Sequence, residues 1–114
     1  MSVTANVFIQ VQYQGDVNGV QLGPVAETTT SPGQIDISNL AMGANTFTVA
    51  TGSKGVVIVP PVLNNVVITF KGIAGDTGVV LHPTDAAYIS LGSTVTDFVL
   101  DAASAVTGVR FIWV

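Results

Sequence analysis

One histidine, seven scattered carboxylates and three basic residues are all that this 114-residue chain offers for reactive chemistry. His82 stands in Leu81-His82-Pro83-Thr84, with Asp85 next. A nucleophilic mechanism would need its imidazole to bridge Asp85 or Asp76 and a Ser or Thr hydroxyl. No spacing in the chain marks such a triad, and a turn residue held between Leu81 and Pro83 is the simpler expectation. The acids are Asp16, Glu27, Asp36, Asp76, Asp85, Asp97 and Asp101. Glycoside hydrolysis would require two of them within about 5–9 Å. Most lie instead at turn signals, where an aspartate caps its own backbone. Asp76, in Gly75-Asp76-Thr77-Gly78, could join Asp85 in offering oxygen to calcium, but the DxDxDG-type spacing is missing and a plain turn is expected. Gly72, Gly75 and Gly78 lack the GK[ST] or strand–GxGxxG–helix context of a nucleotide loop. The absence of cysteine removes disulfides, thiolate zinc sites and cysteine nucleophiles. The residues describe a non-enzymatic chain that calls for no cofactor and no metal.

The elements that would position these residues are strands. Val, Ile and Thr together exceed a third of the sequence, and β-branched side chains suit a pleated surface better than a helix. Only 9% of residues are charged, against roughly 25% in an average domain. A net charge of −4 with three basic residues speaks against a nucleic-acid footprint and against docking on an anionic membrane. The longest nearly apolar run, Gly55 to Leu63, is broken by Pro60-Pro61 and is too short to span a bilayer. No basic region followed by an apolar stretch marks a signal peptide at the N-terminus. High apolar content (48%) with so few charges points to surface buried between subunits, the alternative being an unusually apolar monomer.

Period-two alternation is clearest at the start, where Val3, Ala5, Val7, Ile9, Val11 and Tyr13 share a face. Gly15-Asp16 and Asn18-Gly19 mark a turn, a short strand at 20–22 follows, and residues 26–34 read as a polar loop around Pro32-Gly33. Gln34 to Leu40 and Asn45 to Thr51 alternate, and their spacing suits a hairpin. Val56-Val57-Ile58-Val59 is continuously apolar, as in a strand covered on both faces. Further strands are expected at Val66–Lys71, Val79–Leu81, Ala87–Leu91 and Thr94–Leu100, and Val106–Val114 closes the chain. Asp101 to Ser104 fits a single capped helical turn or a loop. Eight to ten short strands with regular turn signals predict an all-β, single-domain antiparallel β-sandwich, jelly-roll-like, over residues 1–114, with an N-terminal strand or arm at 1–13.

The stretch VVITFKGIAGDTGVVLHPTDAAYISL (66–91) resembles segments of structural proteins of tailed bacteriophages. In those, a strand ending in KG, a GDTG turn and an HPT(D) turn follow one another in a small β-domain. The resemblance covers less than a quarter of the chain. It implies a virion component at the capsid surface, a decoration (cement) protein of homotrimeric β-sandwich type, whose partners are its own copies and the major capsid protein. A tail, fibre or spike subunit is the alternative within that class.

The expected partner contacts lie at the two ends and at one charge. Val3, Val7, Ile9 and Val11 would meet an open sheet edge on a neighbour, while Phe111 and Trp113 would anchor a trimer or the shell. Asp97 interrupts an apolar face between Val95 and Val99 and is expected to guard a sheet edge, with a subunit contact as the alternative. A lectin-like carbohydrate-binding module is the rival from another class, with Trp113, Tyr13 and Tyr88 as its ring platform.

Overall fold

The computed structural model describes residues 33–114 in full, together with the backbone pairing of two earlier strands. Those two are β1 (Val3–Gln12) and β2 (Gln21–Ser31), which form an antiparallel two-stranded sheet. The other strands are β3 (Ile35–Leu40), β4 (Gly43–Thr48), β5 (Gly55–Val59), β6 (Ile68–Lys71), β7 (Val79–Val80), β8 (Ala87–Ser90), β9 (Asp97–Ala102) and β10 (Val106–Trp113). They make two four-stranded antiparallel sheets, ordered β3-β10-β5-β8 and β4-β9-β6-β7. Within these two sheets only β6 and β7 are sequential neighbours. Every other connection from β3 onward crosses between sheets, which is the strand order of a jelly roll.

The core lies between the sheets. Phe98, Leu100 and Ala102 of β9 face Val109, Phe111 and Trp113 of β10, with Val56, Ile58, Ile68 and Leu40 around them. Phe98 sits at the centre of a ring cluster, its centroid 5.2 Å from Phe70, 5.9 Å from Phe47 and 6.0 Å from Trp113. Phe111 packs still closer on Phe47, at 4.6 Å. Trp113 brings a polar N–H into this apolar space, and its Nε1 donates to Asp36 Oδ2 at 2.9 Å. That bond removes the penalty of a buried unpaired donor.

One bulge sets the register. β10 shifts against β3 between Val106 and Val109. Gly108 supplies the positive φ (86°) that such a bulge requires, and its N–H donates to Asn39 Oδ1 at 3.0 Å. The extra residue lets Val106 and Val109, an odd number apart, both point inward.

The structure departs from the expected pattern at several elements. The polar stretch at 26–34 is a strand as far as Ser31, paired with β1 from Val3↔Ser31 onward. Its consecutive threonines carry little hydrophobic signal but fit a pleated strand. The expected hairpin between 34–40 and 45–51 is instead a crossover, since β3 pairs with β10 and β4 with β9. Asn45 holds that corner: its Oδ1 accepts from Ala41 N–H, and its Nδ2 donates to the carbonyls of Ala41, Gly43 and Leu100. These bonds replace the ladder a hairpin would have made. Asp101 and Ala102 extend β9 and residues 103–104 bend, so of the two readings of 101–104, helical turn or loop, the helical turn does not form. The turn at 15–19 lies outside the described residues.

Candidate interaction surface

The two sheets present different outer faces. On the β4-β9-β6-β7 sheet, the register aligns Thr48 with Asp97, Thr46 with Val99 and Lys71, and Ala44 with Asp101, Thr69 and Val80. Lys71 Nζ bonds Asp101 Oδ2 at 3.0 Å across this face. This face is mainly polar, with Val80 exposed on its edge strand.

The β3-β10-β5-β8 sheet is the opposite case. One row across its outer face is Ile35, Ile112, Val57 and Tyr88, and the next is Ile37, Arg110 and Val59. Ile35 and Ile37 are 62% and 68% exposed. Ile112, Val57, Val59 and Tyr88 are half-buried, and Arg110 is the one charged residue in the two rows. Among the described residues no carboxylate pairs with Arg110. Gly55 lets Tyr88 lie across the sheet, because a Cβ there would stand 2.9 Å from the ring and hydroxyl. These two rows make a contiguous apolar face around a single cation.

The sequence carried one sign of it. The unbroken apolar run Val56–Val59 reads as a strand covered on both faces, yet only Val56 and Ile58 enter the core. Val57 and Val59 point into the open face. In β3 the alternation is inverted: Asp36, Ser38 and Leu40 face inward while the isoleucines face out. The Trp113–Asp36 bond and the Gly108 bulge fix that register.

A second apolar feature stands at one end of the sandwich, in the β5–β6 connection. Pro61 to Asn64 form a turn closed by Asn64 N–H to Pro61 O at 3.1 Å. Its tip, Val62 and Leu63, is 89% and 88% exposed. Leu63 adopts φ 66°, a left-handed conformation that normally falls to Gly or Asn. Asn64 Nδ2 clamps the loop to Val66 O and Pro83 O at 3.1 and 2.8 Å. Strain on an exposed apolar tip motivates a functional reading.

Of the residues singled out for chemistry, His82 and Asp85 meet within one exposed turn: His82 Nδ1 is 3.6 Å from Asp85 Oδ2 and 3.5 Å from Thr84 Oγ1, so both fall on one ring nitrogen and the imidazole does not bridge them. His82 Nδ1 accepts the backbone N–H of Thr84 and Asp85, at 3.2 and 3.0 Å, on an exposed turn. Asp76 Oδ2 accepts Ile73 N–H at 3.0 Å and so caps its own turn. Among the described residues no three His, Cys, Asp or Glu gather in metal-binding geometry. A shallow recess between Ser53, Lys54, Ser90, Leu91 and Ser93 contains no aromatic ring.

The contact residues expected from sequence divide in three. Phe111 and Trp113 are core residues, 1% and 3% exposed, so their rings serve the fold rather than a partner. Asp97 is exposed at the start of β9, an interior strand, which corrects its reading as an edge guard. Val3, Val7, Ile9 and Val11 lie on β1, as does the alternation that singled them out, but their side chains fall outside the described residues, as does Tyr13. Sequence reasoning missed Ile35, Ile37, Arg110 and Ile112 as a surface, because period two says which residues share a face and not which face is inside. Searches against protein-family models, curated proteins and solved structures return no match for this chain.

Proposed function

We propose that the protein is a structural subunit of a larger assembly, a virion component of the capsid-decoration type that works by burying apolar surface between copies. The observation that carries this reading is the contrast between the sheets: one outer face is mainly polar, while the other carries an apolar row of Ile35, Ile112, Val57 and Tyr88. Jelly rolls occur in viral capsids and in lectins alike, so the fold alone does not choose between them. The face supports the assembly reading. The lectin reading loses its main ring, since Trp113 is buried and bonded to Asp36.

In this proposal the apolar sheet face makes the contacts between copies. The strained Val62–Leu63 tip supplies an anchor to the larger partner, the shell protein. The test is light scattering at micromolar concentration, followed by copy number in purified particles. An oligomer present in hundreds of copies supports the shell role. A few copies would move it to baseplate or fibre, and a stable monomer at that concentration refutes self-assembly.

A further inference from the structure

We infer that β3 is an assembly edge: it pairs antiparallel with β3 of a second copy across a two-fold axis at Ile37, joining two β3-β10-β5-β8 sheets into one. This rests on the assembly reading above and names its partner and register.

The edge is open. β3 ends its sheet, and no strand of the chain pairs along its other side. Trp113 N–H donates to Gln34 O at 3.0 Å, which makes 34–113 a bonded pair of the β3–β10 ladder. Bonded and non-bonded pairs alternate in an antiparallel ladder. Asp36–Phe111 and Ser38–Val109 are therefore bonded, while Ile35 and Ile37 turn their N–H and C=O groups away from β10. Such a row is a template for another strand unless something blunts it. β3 carries no proline or lysine, and the extra residue of the bulge lies on β10. The other edges suit a seam less well, since β7 has two residues and β8 four. β4 matches β3 in length, but its exposed residues are Ala44, Thr46 and Thr48 rather than isoleucines.

The half-buried residues of β3 select the partner and the register. Asp36 Oδ2 accepts from Trp113 Nε1 and Gln34 Nε2, at 2.9 and 2.8 Å, and its Oδ1 has no partner among the described residues. The Ser38 hydroxyl, two residues on and on the same face, likewise has none among them. An antiparallel copy reverses the order of this acceptor and donor. With the axis at Ile37, each Asp36 stands opposite Ser38 of the other copy, and the edge complements itself. An axis at Asp36 would oppose two carboxylates, and one at Ser38 would set Asp36 against Leu40, both unfavourable. On the outer face the seam then brings Ile37 against its own copy. Face-to-face packing would instead bury the exposed Arg110 with no carboxylate in either copy's rows, and a buried unpaired charge is costly. Edge pairing leaves both arginines in water, three strand spacings or about 14 Å apart, beyond a screening length of about 8 Å. Pairing consumes both β3 edges, so this contact closes at two copies.

Sedimentation of edge and face variants tests the seam. Ile37→Pro removes an N–H directed away from β10 and keeps the ladder to it, and should weaken self-association by about tenfold or more. Ser38→Ala removes both contacts to Asp36 and should weaken it by about tenfold. Val57→Lys, on the same outer face but two strands from the edge, should leave association within about twofold. In this cysteine-free chain, Ile37→Cys should oxidise to a covalent dimer, because bonded pairs stand about 5.5 Å apart at Cα and a disulfide spans that distance. This decides the matter even if the proline variant does not fold: an Ile37→Cys protein that stays uncrosslinked overturns the edge pairing. A mixed dimer of Ile35→Cys with Ile37→Cys would place the axis at Asp36 and overturn the register. If Val57→Lys dissociates the protein while Ile37→Pro and Ser38→Ala do not, the edge inference is overturned and the face reading stands. A parent protein that is monomeric throughout overturns both.

Discussion

Truncating Phe111 to alanine separates a core role from an interface role for the closing strand. The ring is 1% exposed and touches Phe47, Phe98 and Trp113 at centroid distances of 4.6, 6.3 and 6.2 Å. Removing it deletes buried area and leaves a cavity among rigid aromatic neighbours, a loss of about 3–5 kcal/mol. Domains of this size hold only about 5–15 kcal/mol in total. With a urea m-value of about 1.5 kcal/mol per M, the midpoint should fall by about 2–3 M. Oligomerisation complicates the reading, because binding between folded copies raises apparent stability with concentration. The assay is therefore urea unfolding at several protein concentrations. Phe111→Ala should lower the midpoint at every concentration and keep the concentration slope. Ile37→Asp should keep the dilute midpoint within about 0.5 kcal/mol of the parent and abolish the slope. A Phe111→Ala variant that splits the oligomer with its dilute midpoint unchanged would refute the core assignment.

Three other outcomes follow from particular contacts. Asp36→Ala leaves Trp113 Nε1 without its 2.9 Å acceptor and should cost about 1–3 kcal/mol in chemical denaturation, with Asp36→Asn recovering most of it. Gly78→Ala should destabilise more than Gly108→Ala, as thermal melting would show: both have positive φ, but only at Gly78 would a Cβ meet backbone, 2.5 Å from Phe70 O. The open site should cost about 1–2 kcal/mol for the left-handed backbone alone. Leu63→Gly relieves the φ of 66° and should raise stability by up to about 1 kcal/mol, while weakening co-sedimentation with the partner particle if the tip is the anchor. Equal binding by Leu63→Gly would remove the tip from the interface.

The all-β character was legible in β-branched composition, period-two alternation and turn spacing, because each acts through neighbouring residues. The same local rules placed Phe47, Phe111 and Trp113 each on an alternating strand face. They were weakest where polar residues form strand, as at Thr28–Ser31 within β2, and where an apolar pair faces outward, as at Ile35 and Ile37. The continuous run at Val56–Val59 did signal two covered faces, and the structure supplies one cover from the described residues.

The sequence by itself confined the residues able to do chemistry: one imidazole, no thiol and dispersed acids. It also determined that the chain would form strands, since side-chain stiffness and pleat period are local. Tertiary structure decided strand order, sending β3 and β4 to different sheets through the Asn45 corner. It decided which faces of β3 and β10 are inside, through the Gly108 bulge and the Trp113–Asp36 bond. Those are pairings between residues some 70 positions apart, which no local period encodes. The apolar outer face, and with it the case for assembly, exists only because that register turned Ile35 and Ile37 outward into the row of Ile112 and Val57.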